Sequence, residues 1–129
     1  MNNVPVVTLS NGVRVANFSS PHPFTFVDGT VLPACSAERA QASKLEAIET
    51  ETPHPTCAGV VDLQLDWKIT SYIVRELHKL DRNEDIDIVL VPFPVMTALK
   101  NAGMPIGKAR VIRNADRVTK AIHIDKFCA

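Results

Sequence analysis

Hydrophobic and polar residues alternate most regularly between positions 60 and 69. Val61, Leu63, Leu65, Trp67 and Ile69 occupy every second position, and charged or amide residues fill the positions between them. A period of two is the repeat of a β-strand. The segment is therefore predicted to be a strand with one buried face and one face in water.

Three other segments have the spacing or the end signals of helices. Apolar residues recur at intervals of three and four over 70–80, which predicts an amphipathic helix with Thr70 or Ser71 as its cap. Ser36 can cap a short helix over 36–45. Pro94 stands near the first turn, and Gly103 just past the end, of a third predicted helix.

Turn signals divide the remaining chain into β-hairpins and loops. Asn11-Gly12 and Asp28-Gly29 each follow a β-prone run, which predicts type I′ hairpin turns with positive φ at both central residues. Residues 50–59 contain two prolines and no apolar period, so they are predicted to form a mobile loop. The aliphatic run 86–91 predicts a strand covered on both faces, and 108–124 predicts a last, basic hairpin.

This order of elements predicts the α+β class: an antiparallel sheet rich in hairpins, with two or three helices packed on one side. A length of 129 residues, 46 % of them hydrophobic and 22 % charged, suits a single domain over 1–129 rather than a disordered chain. No apolar run is long enough to span a membrane. The start, MNNVPVV, has neither the basic nor the apolar region of a secretory signal.

Cysteine usage and charge add two expectations. Cys35, Cys57 and Cys128 are an odd set without a CxxC pair, which favours free, mostly buried thiols in a reducing cytosol. Positions 38–66 carry six acids against two bases, a net charge of −4, whereas 100–120 carry six bases against one acid, a net charge of +5. The basic segment could form a local anion site or simply a solvated edge.

The first candidate for chemistry is the strand–Pro-Phe-Pro–helix unit over 86–102. Phe93 lies between two prolines that stiffen the backbone, so its ring could stack on a base or could instead close the core. The helix start that follows should offer unpaired backbone N–H groups, from Val95 and Met96 onward, to a phosphate. No glycine-rich loop precedes it, so the unit is not a P-loop.

The second candidate is the basic stretch KARVIRNADRVTK over 108–120. Arg110, Arg113 and Arg117 offer planar guanidinium groups for phosphate. In a strand, Arg110 and Arg113 point to opposite faces, so one subunit could not bring all three to one ligand, whereas a dimer could. Asp116 could brace an arginine or accept a ribose hydroxyl. The alternative is a solvated turn with ordinary ion pairs.

Catalytic signals are scarce. The four histidines have no HExxH spacing, and no GxSxG or paired acid and base stands out, so no catalytic residue, metal site or cofactor is predicted. The residues therefore favour binding of a small phosphorylated molecule over its conversion.

The stretches TLSNGVRVANF, DIVLVPFPVMTALKNAG and KARVIRNADR together resemble the small phage anti-defence proteins that act as sponges for nucleotide immune signals, of the Thoeris anti-defence type. The resemblance implies a cytoplasmic homo-oligomer, dimeric or higher, that buries a cyclic nucleotide between subunits without cleaving it. It implies that Phe93 stacks on the adenine and that Arg110, Arg113 and Arg117 bind the pyrophosphate. Asn101 or Asn114 would contact the base or ribose.

Three alternatives remain open at this stage. The first is a small phosphodiesterase in which His123 or His78 acts with a nearby acid. The second is a module that binds nucleic acid or a protein through the basic hairpin, although nucleic acid is the less expected partner of a chain with no net charge. The third is a phage structural accessory protein that binds no small ligand.

Overall fold

A computed structural model describes residues 4–129 of the chain, and this part contains eight strands and three helices. Residues 1–3 lie outside this part. They belong to the segment MNNVPVV, for which no secretory signal is predicted. The elements, in chain order, are β1 (Val6–Thr8), β2 (Arg14–Asn17), β3 (Phe24–Thr25), β4 (Val31–Leu32), α1 (Ala37–Ala42), β5 (Glu46–Pro53), β6 (Val61–Lys68), α2 (Ser71–Asp81), β7 (Ile88–Leu90), α3 (Phe93–Asn101) and β8 (Ala109–Arg110).

The predicted α+β class is confirmed, with antiparallel hairpins β1–β2, β3–β4 and β5–β6. The central sheet has the order β1-β2-β7-β8 and is mixed, because β7 lies parallel to both β2 and β8. Helix α3 lies between the parallel strands β7 and β8 in the chain, as parallel pairing requires a crossover. The carboxyl ends of the parallel strands β2, β7 and β8, at Asn17, Leu90 and Arg110, therefore lie at the same edge of the sheet.

The central sheet separates two apolar clusters. Alternate residues of β2 and β7 enter opposite clusters: Ala16 and Val89 face α2 and α3, while Val15 and Leu90 face the β3–β4 hairpin. The two longer helices thus lie on one side of the sheet, as predicted. In the described part of the chain, no helix is long and apolar enough to cross a membrane.

The first two hairpins form where they are predicted, but their turns are not type I′. Gly12 has a φ of +87°, whereas Asn11 is not among the described residues with positive φ. The Gly12 N–H donates to the Leu9 carbonyl at 2.9 Å, and the Leu9 N–H donates to the Val13 carbonyl at 2.8 Å. This is a three-residue loop in which one left-handed glycine follows a type I turn, so only that glycine needs positive φ.

The caps of the predicted helices are confirmed. The Arg39 N–H donates to Ser36 Oγ at the start of α1, and the Ile73 N–H donates to Thr70 Oγ1 at the start of α2. Each hydroxyl satisfies one of the donors that a helix start leaves unpaired.

Two segments differ from the prediction. Residues 50–53 belong to β5 rather than to a loop, and Pro53 is tolerated because it pairs with Val61 at the very end of the ladder. The last basic hairpin forms only in part: the regular strand in this region, β8, is two residues long and parallel to β7, and the predicted antiparallel pairing is reduced to an isolated bridge between Asn114 and Ile122. The segment between them is a loop because the Asp116 carboxylate accepts the Val118 N–H and turns the chain.

The three cysteines are free, as predicted, but only Cys35 is buried. Its thiol donates to the Asn17 carbonyl at 3.0 Å. Burial raises the pKa of this thiol despite the nearby Arg39 guanidinium. Cys57 and Cys128 are exposed, so the expectation of mostly buried thiols is wrong.

The β5–β6 hairpin, called the arm below, does not enter the core. All sixteen of its strand residues are exposed, so the expected buried face of the 61–68 strand is exposed as well. The arm approaches the body of the protein at α3.

Candidate functional site

Phe93 opens helix α3 with its ring in water. Pro92 holds an extended backbone with ψ of 149°, and the helix begins at the next residue. The side chain of Phe93 is 70 % exposed, because the core positions of α3 begin at Val95 and Met96. The interpretation that Phe93 closes the core is therefore wrong, and its ring is accessible to a ligand.

The arm and α3 enclose a cleft of about 530 Å³, called the arm cleft below. One wall is formed by Leu65, Asp66 and Trp67 of the arm, and the other by α3 with Phe93 and Asn101. Two aromatic side chains thus line the same space, which is within the size range of small-molecule sites.

A second, smaller cleft of about 190 Å³ also has Phe93 in its lining. Phe93, Thr97 and Asn101 line both clefts, and their i, i+4, i+8 spacing makes them one ridge along α3. Lys100 lines the smaller cleft, and it is the one cationic side chain among the described residues that line either of these two clefts. The sequence predictions include Phe93 and Asn101 but miss this lysine.

The backbone at the start of α3 is not the predicted phosphate site. The N–H groups of Val95 and Met96 both donate to the Pro92 carbonyl, at 3.0 and 3.2 Å. The side chain of Met96 is buried in the core and contributes to the wall of the smaller cleft. Both donors are already used, so the prediction of unpaired N–H groups at these positions is wrong.

The basic residues divide into structural and exposed groups. Lys108 Nζ donates to the carbonyls of Asn83 and Ile86 at 2.8 Å, and Arg110 Nη1 donates to those of Gly107 and Ala109 at 2.9 and 2.7 Å. The lysine contacts thus join the residue before β8 to the 83–86 segment, whereas the Arg110 contacts are local to β8 and the turn before it. Arg113 and Arg117, in contrast, are exposed in the 113–120 loop, called the basic loop below.

Asp116 shapes the basic loop. Its carboxylate accepts the N–H groups of Val118 at 2.8 Å and Thr119 at 3.4 Å, and these hydrogen bonds lower its pKa. Its partners in the described part of the chain are backbone groups rather than an arginine. Asn114 lines a third cleft, of about 310 Å³, with Thr119 and Lys120. The structure therefore places the sequence-predicted site residues in two regions. Phe93, Met96 and Asn101 lie on α3. The rest lie in β8 or in the basic loop, namely Arg110, Arg113, Asn114, Asp116 and Arg117.

His123 lies beside the basic loop and close to an acid. Its Nδ1 is 3.7 Å from Asp125 Oδ1, and its backbone N–H donates to the Arg113 carbonyl at 3.0 Å. The residues that the structure describes contain no cluster of three or more His, Cys, Asp or Glu side chains that could hold a metal ion.

Sequence reasoning missed the arm as a wall of the site. The regular alternation of its strand predicts a buried position for Trp67, whereas the structure exposes this side chain in the wall of the arm cleft.

Comparison of the chain with protein-family models, with curated proteins and with solved structures found no match.

Proposed function

We propose that this protein binds a cyclic nucleotide signal, such as a cyclic ADP-ribose isomer or a cyclic oligonucleotide, and sequesters it without cleaving it. The observation that carries the proposal is the exposed Phe93 ring, held on a proline-stiffened helix start opposite Trp67. The base would enter the arm cleft and stack on Phe93, with the Asn101 amide available to its polar edge. Stacking of this kind contributes about 1–3 kcal/mol per base.

The phosphates require cations. Lys100 lies on α3 beside the ring, and the guanidinium groups of Arg113 and Arg117 are exposed to solvent. A preformed aromatic wall loses little conformational freedom on binding, which favours tight capture, and each planar guanidinium group can hold a phosphate through two parallel hydrogen bonds. Such a protein would act stoichiometrically in the cytoplasm of an infected bacterium, as phage immune evasion requires.

The test is recovery of the captured molecule. The protein is incubated with a panel of cyclic nucleotides, separated from free ligand, denatured by heat and analysed by mass spectrometry. We expect one class of cyclic nucleotide to be retained and then released with unchanged mass. Retention of no member of the panel, or release of a linear product, would overturn the proposal.

One observation favours a second function. The Nδ1 of His123 lies 3.7 Å from Asp125 Oδ1, and the backbone N–H of His123 donates to the Arg113 carbonyl, so a candidate general base and an arginine belong to two directly hydrogen-bonded backbone segments. A phosphodiesterase built on this pair predicts a linear product that disappears in the His123→Ala variant. His78, the other candidate base, lies exposed on α2 and serves as the control position.

A further inference from the structure

A cleft of about 300 Å³, called the strand-end cleft below, lies at the carboxyl ends of the parallel strands of the central sheet. Residues 19–21, which follow β2, form one part of its wall, and residues 90–92, at the end of β7 and just after it, form another. Phe24 of β3 and Ile112, two residues after β8, complete the lining. The cleft is separate from the two clefts that contain Phe93.

The connections of the sheet explain why a cleft opens here. Strands β2 and β7 are adjacent and parallel, but the chain leaves β2 toward the β3–β4 hairpin and leaves β7 toward α3, which packs on the opposite side of the sheet. Adjacent parallel strands with connections to opposite faces leave a crevice between their carboxyl ends, and open sheets with parallel strands bind their ligands in such crevices. The strand-end cleft therefore has the position of a ligand site, with a volume at the lower end of the range for small molecules.

The strand-end cleft offers apolar surface and no charge. Among the described residues that line it, the polar side chains are Ser19 and Ser20, and none is charged. The Ser20 hydroxyl is already paired, because it accepts the His22 N–H at 3.1 Å and donates to the His22 carbonyl at 3.0 Å. Since the remaining lining is mostly apolar, the fitting occupant is an apolar chain or ring.

A cation lines the neighbouring space, the third cleft described above. Phe24 and Ile112 line both the strand-end cleft and the third cleft, so the two spaces share these walls. Lys120 is the one charged side chain among the described residues that line the third cleft. None of the ion pairs within residues 4–129 involves Lys120. Its ammonium group is therefore open to an anion.

The backbone next to Lys120 is fixed against β3. The Ile122 N–H donates to the Thr25 carbonyl, and the Val27 N–H donates to the Ile122 carbonyl, both at 3.0 Å. Lys120 has a φ of +57°, and it is the one non-glycine residue with positive φ in the described part of the chain. Residues other than glycine rarely adopt this region, and such outliers are concentrated at ligand sites. The fold thus holds Lys120 beside the third cleft at a cost in backbone strain.

We propose that the strand-end cleft and the third cleft form one binding site for a small carboxylic acid with an apolar chain or ring. The apolar part occupies the strand-end cleft and extends past Phe24 and Ile112, and the carboxylate pairs with Lys120. This site stands independently of the proposed function, because the aromatic wall of the arm cleft and the cations assigned to the nucleotide take no part in it.

The test is a titration of the whole protein with straight-chain acids, followed by two-dimensional NMR of the backbone amides. The probes are butanoate, hexanoate and octanoate, below the concentrations at which they form micelles, and octanol as the neutral counterpart of octanoate. Each added methylene should lower the Kd about two- to fourfold, because it buries further apolar surface. Octanol should bind about three- to fivefold more weakly than octanoate, since it cannot form an ion pair with the exposed Lys120.

Lys120→Gln removes the charge and keeps a long polar side chain. In this variant the Kd of octanoate should rise about three- to fivefold, while the Kd of octanol should stay within about twofold of its wild-type value. The matched control is Lys44→Gln, which removes the same charge from an exposed lysine outside both linings. The control should leave the Kd of octanoate unchanged.

The amide shifts also locate the ligand. We expect shifts at Ser19, Val91 and Ile112 with each acid that binds. Shifts confined to the arm cleft, a Kd that does not depend on chain length, or an octanoate affinity that Lys120→Gln does not change would overturn the proposal. The absence of any shift at the highest octanoate concentration would overturn it as well. Nucleotide capture is measured separately by mass, so either proposal can fail while the other stands.

Discussion

Arg39 Nη1 lies 2.9 Å from Glu76 Oε1, and both side chains are only 9 % exposed. The same arginine donates through Nε to the Phe18 carbonyl at 2.7 Å, and its guanidinium lies 5.0 Å from the centre of the Phe18 ring. Helix α1 has no buried residue of its own. This ion pair therefore joins α1 to α2 where apolar packing does not.

Removal of Glu76 should destabilise the fold strongly. Glu76→Ala leaves the Arg39 guanidinium buried without its counter-charge, which costs about 3–5 kcal/mol. Lys79→Ala removes the exposed partner of the same carboxylate and should cost under about 1 kcal/mol. Urea unfolding of both variants measures the difference, and equal losses would contradict the importance of the buried pair.

Acid should break a second pair, between β2 and the segment before β7. Arg14 donates to both carboxylate oxygens of Asp87, at 3.1 Å from Nε and 3.0 Å from Nη2, and these bonds lower the pKa of Asp87 to about 2. A carboxyl with a lowered folded-state pKa stabilises the fold above its ordinary value of 3.8, and this contribution is lost as the pH falls toward about 2.

Carboxyl titration by NMR tests this pair. Arg14→Gln should raise the pKa of Asp87 toward 3.8. Asp28 is the internal control, because the backbone N–H groups of Ser10 and Thr30 lower its pKa to about 2. If the Asp28 titration moved as far as that of Asp87, the assignment to Arg14 would fail.

The parts of the fold that local chemistry decides could be predicted from the sequence. The positive φ of Gly12 and the hydroxyl caps Ser36 and Thr70 depend on a few neighbouring residues. The strand 46–53 could not be predicted in full, because neither of its faces is buried and it lacks an apolar period. Its pairing with β6 is what makes it a strand.

The candidate site could be predicted only in part, because residue types do not show which surfaces meet. Phe93 was a candidate, but its exposure follows from α3 turning Val95 and Met96 toward the core. Arg113 is not in the lining of either cleft that contains Phe93, and it lies at the start of the loop that Asp116 closes. The hairpin prediction places a turn at 114–117 but extends strands on both sides of it, whereas the structure has one isolated bridge, between Asn114 and Ile122.

Gly107 should tolerate substitution worse than Gly103. Both have positive φ, of +54° and +68°, but a Cβ at Gly107 would overlap the Asp81 carboxylate, whereas one at Gly103 would meet no atom within 4 Å. Asp81 accepts the Lys108 N–H at 2.9 Å. Gly107→Ala adds a disturbed hydrogen bond to the left-handed strain and should cost about 2–4 kcal/mol, against about 1–2 kcal/mol for Gly103→Ala. Equal melting temperatures would contradict this.

Neutralising the basic loop should weaken binding of the cyclic nucleotide without unfolding the protein. Arg113→Ala and Arg117→Ala each remove an exposed guanidinium that makes no core contact. Loss of a charge-assisted hydrogen bond to phosphate should weaken binding by about 1.5–3 kcal/mol. Arg75→Ala, on the exposed face of α2, is the matched control. Calorimetry with unchanged affinity in both loop variants would remove the basic loop from the ligand site.

Phe93→Ala should abolish most of the nucleotide affinity and leave stability nearly unchanged. The ring is 70 % exposed, so its loss opens no core cavity, and the free energy of unfolding should change by less than about 1 kcal/mol. Affinity should fall by about 1–3 kcal/mol, because the stacking surface is gone. Phe93→Trp should retain binding, while Phe93→Leu, which keeps apolar area but no aromatic face, should not. Calorimetry on the three variants distinguishes stacking from simple apolar contact: if the leucine variant binds as tightly as the tryptophan variant, the ring does not stack on a base.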